Sequence, residues 1–194
     1  MRRTIQTSVA FAIAAALTVT GCTPVGLPTS ADDGESPFFT MPPAPGFGAM
    51  RRALPLTSDE VVTMRIGADG GRIDLPRAGA SFVVPAGALD AETEITMRAL
   101  AGEVIAFEFA PHGLTFRLPA SVHVHAAGTE AEPLLTDPAR TLLQGRPLDG
   151  YLGVYFEGDP ASGVEPLETI ETRLEGDHLV YDVEHFSGYV SASG

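Results

Sequence analysis

From residue 61 onward the chain is a succession of short apolar or alternating stretches, each cut off by Gly or Pro, and this pattern constrains the fold more than any other feature. Strand side chains point alternately to opposite faces, so runs of this kind build sheets. No stretch keeps a helical period long enough for a strand–helix–strand unit. Residues 61–66 place Val62, Met64 and Ile66 on one face, and the turn Asp69-Gly70-Gly71 leads into Ile73 and Leu75. Phe82 and Val84 follow, then Ile95, Met97 and Ala99 alternating against Glu94, Thr96 and Arg98. Ile105, Phe107 and Phe109 share a face, as do Leu114, Phe116 and Leu118, and then Val122 and Val124. Residues 129–150 are less regular, with Asp137-Pro138 reading as a short helix start. Strands resume at 151–156, 167–174, 178–183 and 187–192, with Glu175-Gly176-Asp177 as a hairpin turn. The expectation for residues 61–194 is an all-β domain, an antiparallel β-sandwich of about nine to ten short strands.

The beginning of the chain has a different logic. Met1-Arg2-Arg3 precedes an apolar run over residues 9–19, and small residues close it at Val19-Thr20-Gly21-Cys22. A charged start, a short apolar stretch and a small-residue end form an export signal, expected over residues 1–21. The run is too short to cross a bilayer as a helix. Arg2-Arg3 suggests twin-arginine export, but Thr4-Ile5-Gln6 fits that motif poorly, so the sequence does not separate the two export routes. The ending resembles a lipobox, which implies cleavage between Gly21 and Cys22 and acylation of the Cys22 sulfur, a palmitate-type anchor. The expected location is therefore the extracytoplasmic side of a cell membrane, with the lipid on Cys22 as the membrane contact. The whole chain holds 1 Cys, so an oxidising compartment finds no second thiol for an internal disulfide. Residues 22–60, rich in Pro, Gly, Ser, Thr and acidic side chains around Pro42-Pro43-Ala44-Pro45, read as the lipidated Cys followed by a disordered tether.

Charge removes several function classes. The formal net charge is −13, and the first 21 residues carry two Arg and no acid, so the exported part is more acidic still. Such a surface disfavours nucleic acid and anionic headgroups as partners. Lys, Asn and Trp are absent from the sequence. That excludes Schiff-base lysine chemistry, a phosphate-loop lysine and N-linked glycosylation.

Several motifs together resemble a known family. Gly70-Gly71-Arg72-Ile73, then Phe82-Val83-Val84-Pro85-Ala86-Gly87-Ala88-Leu89, then Glu94-Ile95-Thr96-Met97 occur in order. Phe109-Ala110-Pro111-His112-Gly113-Leu114-Thr115-Phe116 and Pro119 with Val122-His123-Val124 complete the set. This arrangement resembles the ZU domain of zona occludens proteins, netrin receptors, ankyrins and a death-domain scaffold, with relatives on bacterial surface proteins. The resemblance implies two antiparallel sheets packed face to face and a binding or spacer role, with no activity on other molecules. Glu184-His185-Phe186-Ser187-Gly188-Tyr189 also matches the His-Phe-Ser sequence at which some members of the family cut themselves. There Ser187 Oγ would attack the Phe186 carbonyl with His185 as base, if the turn is strained. The structural reading of the same residues is a lead-in to the last strand, with Phe186 in the core.

Other candidates are weaker. His123 and His125 stand two apart on a strand whose Val122 and Val124 face inward, so both imidazoles share the outer face and could chelate a metal ion with a third ligand. His112 lies in a turn with a structural use. The acidic turns at Asp69-Gly70, Glu157-Gly158-Asp159 and Glu175-Gly176-Asp177 lack the oxygen spacing of a calcium loop. Gly-x-Ser-x-Gly, Gly-x-Gly-x-x-Gly and His-Glu-x-x-His are all absent from the sequence. The chain is accordingly read as a non-enzymatic interaction or structural module needing no cofactor, whose protein or cell-envelope partner the residues do not name.

Overall fold

The computed structural model describes residues 48–156, 166–186 and 188–194. Its elements begin with β1 (Gly48–Ala49), β2 (Arg51–Leu56), β3 (Glu60–Ile66), β4 (Gly71–Leu75) and β5 (Ala80–Val84). There follow β6 (Thr93–Ala99), β7 (Gly102–Val104), β8 (Ala106–Ala110) and the long β9 (Thr115–His125). Two single-turn helices, α1 (Pro133–Thr136) and α2 (Arg140–Leu143), precede β10 (Pro147–Phe156), β11 (Pro166–Glu175), β12 (His178–His185) and β13 (Gly188–Ser193). Asp137 Oδ1 accepts the Ala139 N–H at 2.7 Å and the Asp137 carbonyl accepts that of Arg140, so the Asp-Pro step forms a turn after α1, and α2 begins only at Arg140, with Ala139 at its N-cap and no side-chain cap.

The fold is all-β and antiparallel, as expected. Ten strands form one path, β3-β6-β8-β13-β10-β11-β12-β9-β5-β4, with β1 added on β13 and a separate β2-β7 ribbon. The ends of the path, β3 and β4, are consecutive in the chain, and Gly67 bridges Gly70 in the turn between them. The sheet therefore curls until its ends nearly meet, like a barrel. Two walls do face each other as in a sandwich: Phe82 of β5 and Phe109 of β8 are not sheet neighbours, yet their rings are 4.9 Å apart. The walls are joined through β13, β10, β11 and β12 into one sheet rather than two. Register shifts in β10–β11 and β12–β9 supply bulges that let a sheet bend this sharply.

Alternation decides the core. Ile73, Leu75, Phe82, Val84, Ile95, Met97, Ala99, Phe107, Phe109, Val122 and Val124 are all at most 2% exposed, the inward faces read from the sequence. Each fully buried large side chain contributes about 1.5–3 kcal/mol of transfer free energy. Met64 and Leu118 are in phase but stay 40% and 48% exposed. Met64 lies on β3, an end of the sheet path, and Leu118 lies on the part of β9 beyond its pairing with β5. Pro119, which has no N–H to donate, sits in that same unpaired part of β9.

The expected tether boundary at residue 60 is corrected. Gly48 and Ala49 pair with Ser193 and Ala192, and Arg51 and Leu56 pair with Val104 and Gly102. Met50 between them is fully buried, donates its N–H to Ser191 O at 2.7 Å and accepts from Ile105 N at 3.0 Å. The composition here is misleading because Arg51, Arg52 and Pro55 look like linker. Arg52 is nevertheless buried, and its Nη1 donates to the carbonyls of Leu100 and Gly102 at 3.3 Å. Burial pushes its pKa down to about 10, against the opposing charge of Glu60. The expected spacer is left with residues 23–47, which lie outside the described residues together with Gly21 and Cys22.

Candidate functional site

The residues that carry candidate chemistry fall at two places on the β12 strand. The first is its C-terminal end, where the chain turns into β13. His185 closes β12, Phe186 follows, and Ser187 lies outside the described residues. Phe186 is 2% exposed, its ring stacked on Phe109 at 5.0 Å and set edge-on to Phe116 at 5.0 Å. Its N–H donates to Leu114 O at 2.8 Å, and its carbonyl accepts the Gly113 N–H at 3.2 Å. The turn at Pro111-His112-Gly113, where Gly113 has a φ of +76°, thus grips both sides of the Phe186 peptide. This supports the structural reading directly: Phe186 is a core residue and its backbone is paired.

His185 points into a polar corner. Tyr189 Oη donates to the His185 carbonyl at 2.5 Å and lies 3.5 Å from its Nδ1. The Tyr155 ring meets the imidazole edge-on at 4.7 Å, and Glu168 Oε2 is 3.9 Å from Nε2. Burial raises the Tyr189 hydroxyl far above the ordinary tyrosine value, and the neighbouring Tyr181, Tyr155, Glu168 and Glu184 push it the same way. Tyr189 is therefore a hydrogen-bond donor here and not a base.

The second place is the start of β12. The β9–β12 register sets His178 opposite His125, and β5–β9 sets Ser81 opposite His123. Val122 and Val124 face inward, so His123 and His125 do share the outer face, as the alternation requires. His123 Nε2 lies 2.9 Å from Ser121 Oγ, and His125 Nδ1 accepts the Ala127 N–H at 3.1 Å. Sequence reasoning missed His178, because the register of a strand some 50 residues away carries no periodic signal. Burial lowers the pKa of His123, as do Arg72, His178 and Arg173, against Glu175. Burial also lowers that of His178, helped by His125 and Arg72 and opposed by Asp177. Among the described residues, no group of three or more His, Cys, Asp or Glu is arranged to hold a metal ion.

The acidic turns do ordinary work. Gly176, at φ +58°, turns the β11–β12 hairpin; its N–H donates to Gln144 Oε1 at 2.8 Å, and Arg140 pairs with Asp177. Glu157-Gly158-Asp159 lies outside the described residues. A cleft of about 340 Å³ opens where β11 leaves β12, lined by Pro147, residues 168–173 and Asp182. Arg173 and Asp182 clamp its mouth at 2.9 and 3.0 Å.

No helix among the described residues is long and apolar enough to cross a membrane. Comparison with protein-family models and with curated proteins gives no match to this chain.

Proposed function

We propose that this chain is an exported lipoprotein whose barrel-like β domain serves as an interaction or structural module held at a membrane by the lipid on Cys22. The observation that carries the proposal is the ending Val19-Thr20-Gly21-Cys22 after a charged start and a short apolar run, in a chain with no second cysteine. An acidic domain gains nothing electrostatically from an anionic bilayer, so retention would rest on acyl chains; a single one gives only marginal binding. The ZU-type resemblance fits a binding or spacer role for the β domain. Substituting Cys22→Ser tests the anchor: lipid labelling should vanish and the protein should leave the membrane fraction while its fold persists. A Ser variant that still sediments with membranes after a high-salt wash would overturn the proposal.

The same Gly113 contact that pairs the Phe186 backbone also bears on a second reading. The Gly113 N–H on the Phe186 carbonyl polarises the bond that a His-Phe-Ser self-cleavage would break. Ser187 Oγ would add to the Phe186 carbonyl carbon, the Ser187 nitrogen would leave as an amine, and water would open the ester to a Phe186 carboxylate and an octapeptide. Because β13 pairs with β8, β10 and β1, that octapeptide would remain in the sheet. Intact mass under denaturing conditions decides: a loss of residues 187–194 that Ser187→Ala prevents supports this reading, and a full-length mass removes it.

A further inference from the structure

On the outer face of the β9–β12 wall, the His125 and His178 rings are 5.0 Å apart between centres, with their planes at 78°. We propose that this cross-strand pair chelates a divalent transition-metal ion, with Cu²⁺ bound most strongly. Two imidazoles on one ion, each with a metal–nitrogen bond of about 2.0–2.1 Å, put their ring centres roughly 4.5–5 Å apart for nitrogen–metal–nitrogen angles between about 90° and 110°. The observed spacing of 5.0 Å falls at the upper end of that range. It is fixed by the backbone, because His125 and His178 are directly opposed in the β9–β12 register. Once one ring holds the ion, the other is presented at high effective concentration.

Both rings are half-buried, which leaves one side open for water to fill the remaining coordination positions. An open set of two nitrogens and water oxygens suits Cu²⁺ or Ni²⁺ in tetragonal geometry, and affinity peaks at Cu²⁺. His123 is not in the set: its ring centre is 6.2 Å from that of His178 and its Nε2 is taken up with Ser121. This agrees with the lack of any three-residue metal group among the described residues. Coordination through His125 Nε2 puts a proton on Nδ1, so the Ala127 N–H now bonded there must turn to water; Ala127 is exposed. Nearby charges are largely neutralised in pairs, Arg72 with Asp74 and Arg140 with Asp177. Glu175 is likewise paired, with Arg173. The net charge of the chain favours a cation.

Titration of the full chain carrying Cys22→Ser, so that no thiol competes, with Cu²⁺ alone should show one ion per chain at about pH 7.5. Electron paramagnetic resonance should show coupling to imidazole nitrogen. His125→Ala and His178→Ala should each weaken binding at least about tenfold, by loss of the chelate. His112→Ala and His123→Ala should leave it unchanged. Binding should weaken as pH falls, because protons and the ion compete for the same ring nitrogens. Circular dichroism of the metal-free variants checks that the outer-face substitutions leave the fold intact. Undiminished binding in the His125→Ala/His178→Ala double variant overturns the proposal, as does a tenfold loss in His123→Ala or no imidazole coupling in the signal of the Cys22→Ser chain with all its histidines.

Discussion

Gly70 shows what a single residue contributes here. Its φ is +74°, and a Cβ at that position would run into backbone atoms of Val84, Pro85 and Ala86. Gly128 has a similar φ, +73°, with nothing within 4 Å of its would-be Cβ. Gly128→Ala therefore isolates the conformational cost of about 1–2 kcal/mol. Gly70→Ala adds the clash with a rigid strand end and should destabilise by about 3 kcal/mol or more. Equal losses in denaturant melts of the two variants would contradict the contact. The glycine pair at 70 and 71 was legible as a turn, but the close approach of the β5 end was not, because it depends on a neighbour in space. The histidines give a second prediction. Burial lowers the folded pKa of His123 and His178, while the unfolded value is about 6.5. Below that value the unfolded chain takes up protons that the folded chain resists. The stability is fully present above about pH 6.5 and is lost as pH falls toward the depressed folded values. With chelator present, the melting temperature should decline from about pH 7 to about pH 5, and His123→Gln with His178→Gln should flatten that decline. An unchanged slope in the double variant would remove these two groups as its cause. Asp59 acts in a separate, lower window. Burial pushes its carboxyl up, yet the Ala101 N–H and Arg98 together hold it below the usual value.

At the scale of elements, legibility followed periodicity. β5, β6 and β8 alternate cleanly, and their inward faces were readable residue by residue. β1, β2 and β7 were not readable: they are short, and of the segment from 48 to 56 only Met50, Arg52 and Leu56 are buried. A pattern that rests on so few buried positions, two of the segment's neighbours being Arg and Pro, has the composition of a linker. Its attachment is nonetheless specific, since the Met50 backbone bonds to Ser191 of β13 and to Ile105 while its side chain is buried in the core. Met50→Ala should cost about 2–5 kcal/mol, the range for emptying a buried methionine site. Leu54→Ala, at a side chain 83% exposed, should change stability by less than about 0.5 kcal/mol. Similar melting for both variants would mean that residues 48–56 only rest on the surface. The outcome matters for the anchor as well, because it sets where a spacer between Cys22 and the folded domain can end.

At the scale of the whole molecule, the sandwich expectation had the right two walls but not their joining. Period two tells which face a residue occupies and says nothing about which strand lies beside it, so strand order was out of reach of the sequence. The arrangement puts the last strand in the middle of the sheet. β13 pairs with β10 on one side, with β8 and β1 on the other, and buries Tyr189, Val190 and Ala192. The wall containing β3, β6 and β8 therefore has no connection through the sheet to β10 until residues 188–193 are in place. Pairings so distant in sequence are slow to form and leave open strand edges in the meantime. A chain ending at Phe186 should show no cooperative thermal unfolding, because removing β13 severs the sheet path at its centre and exposes apolar side chains of both neighbours. A folded protein nicked at the same bond should keep its octapeptide until denatured, since the strand is held by two ladders. Cooperative melting of the truncated chain within about 3 °C of the full chain, a shift worth only about 1 kcal/mol in a domain of this size, would show that the barrel closes without its last strand.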